Sequence, residues 1–152
     1  MLRILDANLN RIGEGLRLME DISRFTLNDP DFSQQLKALR HELLSKDRDF
    51  QEKLISARRA EQDAGAFLKE DTEAERPDAA SLVRANSRRV QQSLRVIEEI
   101  AKTPGQDFSL DWEKLKHARF TLYELEQRIL LKLSRHDKIK RISGLYLIID
   151  AQ

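Results

Sequence analysis

The sequence predicts an all-α fold, a four-helix bundle assembled from two duplicated helical hairpins. Three observations predict it. Residues 7–22 (ANLNRIGEGLRLMEDI) and 85–100 (ANSRRVQQSLRVIEEI) align at an offset of 78, with seven identities: Ala7/Ala85, Asn8/Asn86, Arg11/Arg89, Leu16/Leu94, Arg17/Arg95, Glu20/Glu98 and Ile22/Ile100. Roughly one identity would arise by chance at ordinary residue frequencies. Downstream of each copy, Lys37 and Arg40 recur as Lys116 and Arg119 at an offset of 79, so the repeated unit is a helix pair and not one helix. Finally, 40% hydrophobic and 35% charged residues, with only three Pro and five Gly, suit long amphipathic helices.

The elements follow in order. Apolar residues at helical spacing (Ile4, Leu5, Leu9, Ile12, Leu16, Leu18, Met19, Ile22) predict a first helix from about Arg3 to Arg24. Thr26-Leu27-Asn28-Asp29-Pro30 supplies a turn, with Pro30 suited to the first turn of the next helix. Phe32, Leu36, Leu39, Leu43, Phe50 and Leu54 predict a second helix over 31–54. Residues 57–78 are polar, contain Gly65 and Pro77, and read as a long ordered loop of the kind that often carries function. A third helix, from after Asp78 to about Lys102, packs Leu82, Val83, Val90, Leu94, Val96, Ile97 and Ile100. Pro104-Gly105 ends it, and Ser109 is a suitable N-cap for a fourth helix carrying Trp112, Leu115, Leu122, Tyr123, Ile129, Leu130 and Leu133. The bundle is expected over 1–135. After the basic stretch 136–141, GLYLIIDAQ reads as a short buried strand, which cannot be stable alone and either pairs with another chain or opens a sheet-containing domain.

With 27 basic and 26 acidic residues the net charge is +1, so no global field recruits nucleic acid or an anionic membrane. The basic segments RANSRR and KIKR lack interleaved stacking aromatics, which also argues against nucleic acid. The absence of Cys excludes disulfides, thiolate metal sites and Cys nucleophiles. No apolar run approaches the roughly 20 residues that span a bilayer, and no signal-peptide pattern opens the chain. A soluble cytoplasmic protein is expected. GxxxxGK[ST], GxGxxG and HExxH are absent, which excludes the common nucleotide folds and zinc hydrolases on motif grounds.

Chemistry concentrates in the repeats. Asn8, Arg11 and Gly15, with Asn86, Arg89 and Ser93, fall within the apolar arcs of their helices, as does Arg119. An interior Arg is costly unless paired or holding an anion, and its rigid fork fits phosphate. Two explanations stand at this level: an anion-binding site, or buried Arg–Glu bridges related by the duplication. Arg17, Glu20 and Asp21, with Arg95, Glu98 and Glu99, lie on the polar side or its edge. They form either a solvated, salt-bridged face or a place where Glu20 and Glu98 hold the arginines or a hydrated Mg²⁺. Arg40-His41 and the loop ARRAEQDAG (57–65) complete the set: Arg58 or Arg59 could close on phosphate, with Asp63 as metal ligand or base, while a histidine placed like His41 is more often a plain surface side chain than a catalytic one.

DANLNR-x2-EGLR-x2-ED (6–21), LKALRH (36–41), ARRAEQDAG (57–65) and the second N-x2-R-x5-R-x2-EE resemble one thiamine-pathway family. That family is the helical, monofunctional hydroxymethylpyrimidine phosphate kinase domain, which often precedes thiamine phosphate synthase in one polypeptide. GLYLIID in turn resembles the first strand of the synthase barrel, making 136–152 the expected linker and opening strand of a following α/β barrel. The resemblance implies transfer of the ATP γ-phosphate, with Mg²⁺, to 4-amino-5-hydroxymethyl-2-methylpyrimidine phosphate. Arg11, Arg89 and Arg119 would then meet phosphate oxygens, and Asn8 and Asn86 the pyrimidine or those arginines. Glu20, Glu98 and Asp63 would hold the metal or accept the hydroxymethyl proton, and Arg40, His41 and Arg58 would line the substrate. The expected partners are the attached synthase domain and a second copy in a homodimer. The chain departs from the family pattern at Gln92-Ser93, where Glu-Ala is usual, and at Arg58-Arg59, where RD is usual. The alternative function is a non-catalytic helical module that dimerises or regulates the synthase.

Overall fold

The computed structural model describes residues 1–44, 47–58, 61, 76–105 and 110–141, and every regular element among them is helical. Helix α1 spans Leu2–Asp21 and passes directly into a π-helical turn, Ile22–Thr26. The expected first helix thus exists, but its last turn is widened. Asn28 then takes a left-handed backbone (φ 48°), a conformation that Asn tolerates better than most residues. Asp29 caps α2 (Pro30–Leu43), its carboxylate accepting from the backbone N–H groups of Asp31 and Phe32 at 3.0 Å. Pro30 occupies the first turn, as its fixed φ favours.

The single helix expected over 31–54 is in fact two. Leu44 leaves α2 in an extended conformation, and Asp47 caps a new helix, α3 (Arg48–Ser56), by accepting from Asp49 and Phe50. A Cβ on Gly13 would lie 3.2 Å from Leu44 Cδ1, so the missing side chain at 13 is what lets Leu44 seat against α1 where the chain turns. Helix α4 covers Ala79–Ala101 behind the N-cap Asp78, and α5 covers Trp112–Arg141. The Asp111 carboxylate accepts from the Lys114 N–H at 3.0 Å, doing the capping expected of Ser109, which lies outside the described residues. Helix α5 continues through 136–141, so that basic stretch is helical where a linker was expected. The predicted loop is described only at its two ends and at residue 61, and the GLYLIIDAQ strand lies outside the described residues.

Helix α1 packs on α2 and α4, α4 packs on α5, and α5 returns to touch α2; α3 rests on α1. Leu5, Ile12, Leu16, Met19, Leu36, Val83, Val90, Leu94, Ile97, Leu122 and Ile129 are fully buried between them. Ile4, Val96, Trp112 and Tyr123, expected in the apolar faces, are exposed because they flank the buried strip instead of centring it. Helices α1 and α4 run antiparallel: Gly15 meets Val90 and Asn86, while Met19 meets Ser87, whose hydroxyl lies 3.3 Å from the thioether sulfur.

This crossing yields a test. A Cβ at position 15 would sit 2.5 Å from Val90 Cγ2 and 3.3 Å from the Asn86 carbonyl oxygen, and a β-branched Val cannot rotate aside cheaply. Gly15→Ala should therefore destabilise the fold by about 1–3 kcal/mol in thermal or denaturant unfolding. Adding Val90→Ala should recover most of that loss; an additive, unrecovered loss would show that the crossing is not the constraint.

Candidate functional site

The duplicated sequence produces duplicated chemistry, though not at the arginines that the helical wheel singles out. Arg11 and Arg89 are exposed, and Glu20 and Glu98 are buried, with Glu98 only 1% accessible. This corrects the expectation of interior arginines with carboxylates at the polar edge. A long cationic side chain at positions 11 and 89 can lay its stem along the helix and keep its charge in water. Positions 20 and 98, by contrast, face the helix that carries their cationic partner. Arg40 donates to Glu20 through Nε and Nη2 at 3.3 and 3.1 Å, with Arg17 at 3.6 Å. Arg119 donates to Glu98 through Nε and Nη2 at 2.7 and 3.3 Å, with Arg95 Nη1 at 3.0 Å. Arg17 also reaches Asp21, as Arg95 reaches Glu99. The Asn pair matches too: Asn8 and Asn86 each donate to the carbonyl four residues earlier, at 2.7 and 2.9 Å.

Electrostatics follow from this geometry. Burial pushes the Glu98 carboxyl up, but the hydrogen bonds from Arg119 and Arg95 outweigh it and hold the group below its ordinary 4.5. Asp29 behaves alike. Burial raises it, while Lys132 and the α2 N-terminal amides bring it below 3.8. Arg119 is held above its usual value by Glu98 and Tyr123.

The Glu20–Arg40 pair stands between two cavities. On one side a groove of about 850 Å³ is lined by Glu20, Arg24, Lys37 and His41. On the other, a cleft of about 540 Å³ between α1 and α3 gathers Asp6, Asn10, Glu14, Arg17, Arg40 and Arg58. Arg58 grips Asp6 bidentately there, with Nε and Nη2 at 2.7 and 2.9 Å from the two carboxylate oxygens. A third cleft, about 610 Å³, lies between α4 and α5 and contains Arg89. Of the residues the sequence singled out, then, Arg40 and Arg58 share a cleft, Glu20 and His41 share the groove, and Arg89 sits in the third cavity. Arg119 and Glu98 satisfy each other, Arg11 lines none of the three cavities, and Asp63 lies outside the described residues. No cluster of three or more His, Asp or Glu among the described residues could hold a metal, and Glu20, offered as a ligand, is occupied by two arginines. Asp6 is the contributor the wheel missed. The signal was available in the polar line Asp6, Asn10, Glu14, Arg17, which runs beside the buried strip at helical spacing.

A fold with buried, repeat-related ion pairs flanked by charged clefts is that of a small helical domain built by duplication. The ThiD2 family model matches residues 3–128, and the chain belongs to the ThiD2 family. Relatives include proteins named thiamine-phosphate synthase. That of Rhodopirellula baltica is 39% identical over 131 residues, covering 85% of this chain and 35% of the relative. That of Thermosynechococcus vestitus is 39% identical over 148 residues, covering 96% and 40%. That of Nostoc punctiforme is 38% identical over 146 residues, covering 96% and 39%. The chain thus spans between about a third and two fifths of the length of these relatives. No solved structure matches significantly. No helix among the described residues is long and apolar enough to cross a membrane.

The buried pair predicts a pH response. A carboxyl lowered on folding contributes stability that is complete above its ordinary value and is lost as pH falls through the lowered folded value. Acidification below about 4.5 should therefore erode stability through Glu98, and through Asp29 somewhat lower. Glu98→Gln should melt lower at neutral pH yet lose less on going to about pH 3. Arg119→Ala, which leaves the buried carboxylate only the half-exposed Arg95, should cost about 1.5–3 kcal/mol at neutral pH. Parallel acid-unfolding curves for wild type and Glu98→Gln would refute the assignment.

Proposed function

We propose that this chain is a thiamine-biosynthetic domain that phosphorylates 4-amino-5-hydroxymethyl-2-methylpyrimidine phosphate at the expense of ATP, acting as the N-terminal helical part of a thiamine-phosphate synthase polypeptide. Membership of the ThiD2 family and the relatives' name support the pathway. The observation that carries the reaction is the α1–α3 cleft, which brings two carboxylates, Asp6 and Glu14, together with Arg17, Arg40 and Arg58. An aminopyrimidine monophosphate presents hydrogen-bond donors at one end and a dianion at the other. Carboxylates suit the first and guanidinium forks the second. In this reading the two hairpins close as a four-helix bundle whose Glu20–Arg40 pair fixes the wall of the cleft.

Phosphoryl transfer asks for positioning and charge neutralisation more than covalent help. The hydroxymethyl oxygen attacks the γ-phosphorus, the bond to the β-phosphate oxygen breaks, ADP leaves, and the hydroxyl proton passes to a carboxylate. Exposed Glu14 is the group we assign to receive it. Mg²⁺ would neutralise charge on the nucleotide phosphates, held by those phosphates and water with at most one or two carboxylates such as Glu14. A second reading, a non-catalytic module that dimerises or regulates the synthase, is favoured by one observation: Glu20 and Glu98 are fully engaged by arginines and serve the fold first.

ADP release measured with the pyrimidine monophosphate, ATP and Mg²⁺ decides between them. Turnover on the monophosphate and not on the unphosphorylated alcohol is expected. Arg58→Ala should raise KM, and Glu14→Gln should lower kcat, each by about tenfold or more. A folded, helical chain with no turnover leaves the scaffold reading standing.

A further inference from the structure

The repeat has two clefts of opposite character. The α4–α5 cleft uses positions equivalent to those of the α1–α3 cleft, but Asp6 has become Arg84 and Asn10 has become Arg88, at the offset of 78. Arg89 joins them, so three arginines stand beside the carboxylate of Glu126, which is engaged by Gln91 Nε2 at 2.6 Å; Arg76 also lines the cleft but is engaged elsewhere, and Asp78 at the start of α4 attracts Arg84 without closing an ion pair. Five other surface arginines, Arg17, Arg48, Arg58, Arg95 and Arg128, each reach a carboxylate. Arg84, Arg88 and Arg89 make no ion pair among the described residues. Arg84 and Arg88, one turn apart, repel each other unless an anion lies between them. In a chain of net charge +1, this local excess is not part of a general basic field.

We infer that the α4–α5 cleft is a binding site for a di- or triphosphate group, with Arg84 and Arg88 its principal donors and Arg89 at its rim. A single phosphate could be held by one fork, whereas arginines on successive turns, spread along a cleft of about 610 Å³, fit a chain of phosphates. A neutral ligand would leave the charges uncompensated. The binding claim does not depend on turnover.

Isothermal titration of the whole chain with inorganic pyrophosphate tests it. Saturable binding at one site per chain, weakening as salt rises, is expected, with inorganic phosphate at least tenfold weaker. The Arg84→Ala/Arg88→Ala variant, whose changed side chains are exposed, should keep its helical circular dichroism and bind pyrophosphate at least tenfold more weakly. Arg48→Ala, which removes a charge on α3, should bind as wild type. A titration with ATP separates the sources of the phosphates. Tighter binding than pyrophosphate means a nucleotide also contacts the cleft through its base or sugar, and equal binding means the phosphates suffice. Absence of saturable binding, equal affinity for inorganic phosphate, or an equal loss in Arg48→Ala overturns the inference. Pyrophosphate binding without kinase turnover keeps this site and removes the proposed reaction. Turnover unaffected by Arg84→Ala/Arg88→Ala, with no pyrophosphate binding, does the reverse.

Discussion

The buried Glu–Arg pair, present twice, is the constraint on which the rest of this fold depends. Glu20 reaches from α1 to Arg40 on α2, and Glu98 from α4 to Arg119 on α5. Each pair ties the two helices of its own hairpin, so each sets the register of one repeat. A buried carboxylate left without its cation is far worse than none. The helices must therefore stay in the register that brings the fork to the acid. Leucines on amphipathic helices tolerate sliding and rotation; a buried carboxylate held by two guanidinium N–H groups does not. The apolar residues supply the drive to pack, and the two pairs select which packing results.

Because the register is set twice in the same way, the α1–α4 crossing can be tight. Gly15 against Val90 and Asn86 leaves no room for a side chain at 15. The helices approach there because a residue with no Cβ opposes a β-branched one, and because the Asn86 amide is turned onto its own helix at the Leu82 carbonyl. The Asn residues that look out of place on an apolar face are thus quieted locally, each by a carbonyl one turn back. Their conservation between the repeats is explained by helix contact as readily as by ligand.

Much of this was legible in the sequence. The helix-rich class, the hairpin repeat, the Asn28–Pro30 turn and the Asp78 boundary follow from periodicity, capping chemistry and internal identity. What failed did so for identifiable physical reasons. A helical wheel gives the direction of a side chain but not its reach. It therefore placed Arg11 and Arg89 inside, although both are exposed, and left Glu20 and Glu98 at the edge, where a neighbouring helix covers them. The break between α2 and α3 was hidden because the apolar spacing of 31–54 runs through it. Only the absent side chain at Gly13, on a different helix, reveals where Leu44 can turn in. The clefts were invisible for the same reason: each is lined from two or three elements, and a linear pattern records only one lining at a time.

That break is also where the two repeats part company. In the first, Gly13 admits Leu44, the chain turns, and α3 tilts back to bring Arg58 onto Asp6. In the second, position 91 is Gln, which has bulk and reaches across to Glu126, and α5 runs on without interruption past the equivalent point. One substitution between copies, Gly for Gln, accompanies the change from a cleft closed by a short helix to one open along a long helix. The charges changed with the shape: carboxylates and arginines are mixed in the first, and arginines outnumber carboxylates in the second. Duplication supplied two copies of the same ion-paired frame. Glu20–Arg40 and Glu98–Arg119 hold that frame in both copies, and around it the remaining wall positions, Asp6 and Asn10 against Arg84 and Arg88, diverged in charge.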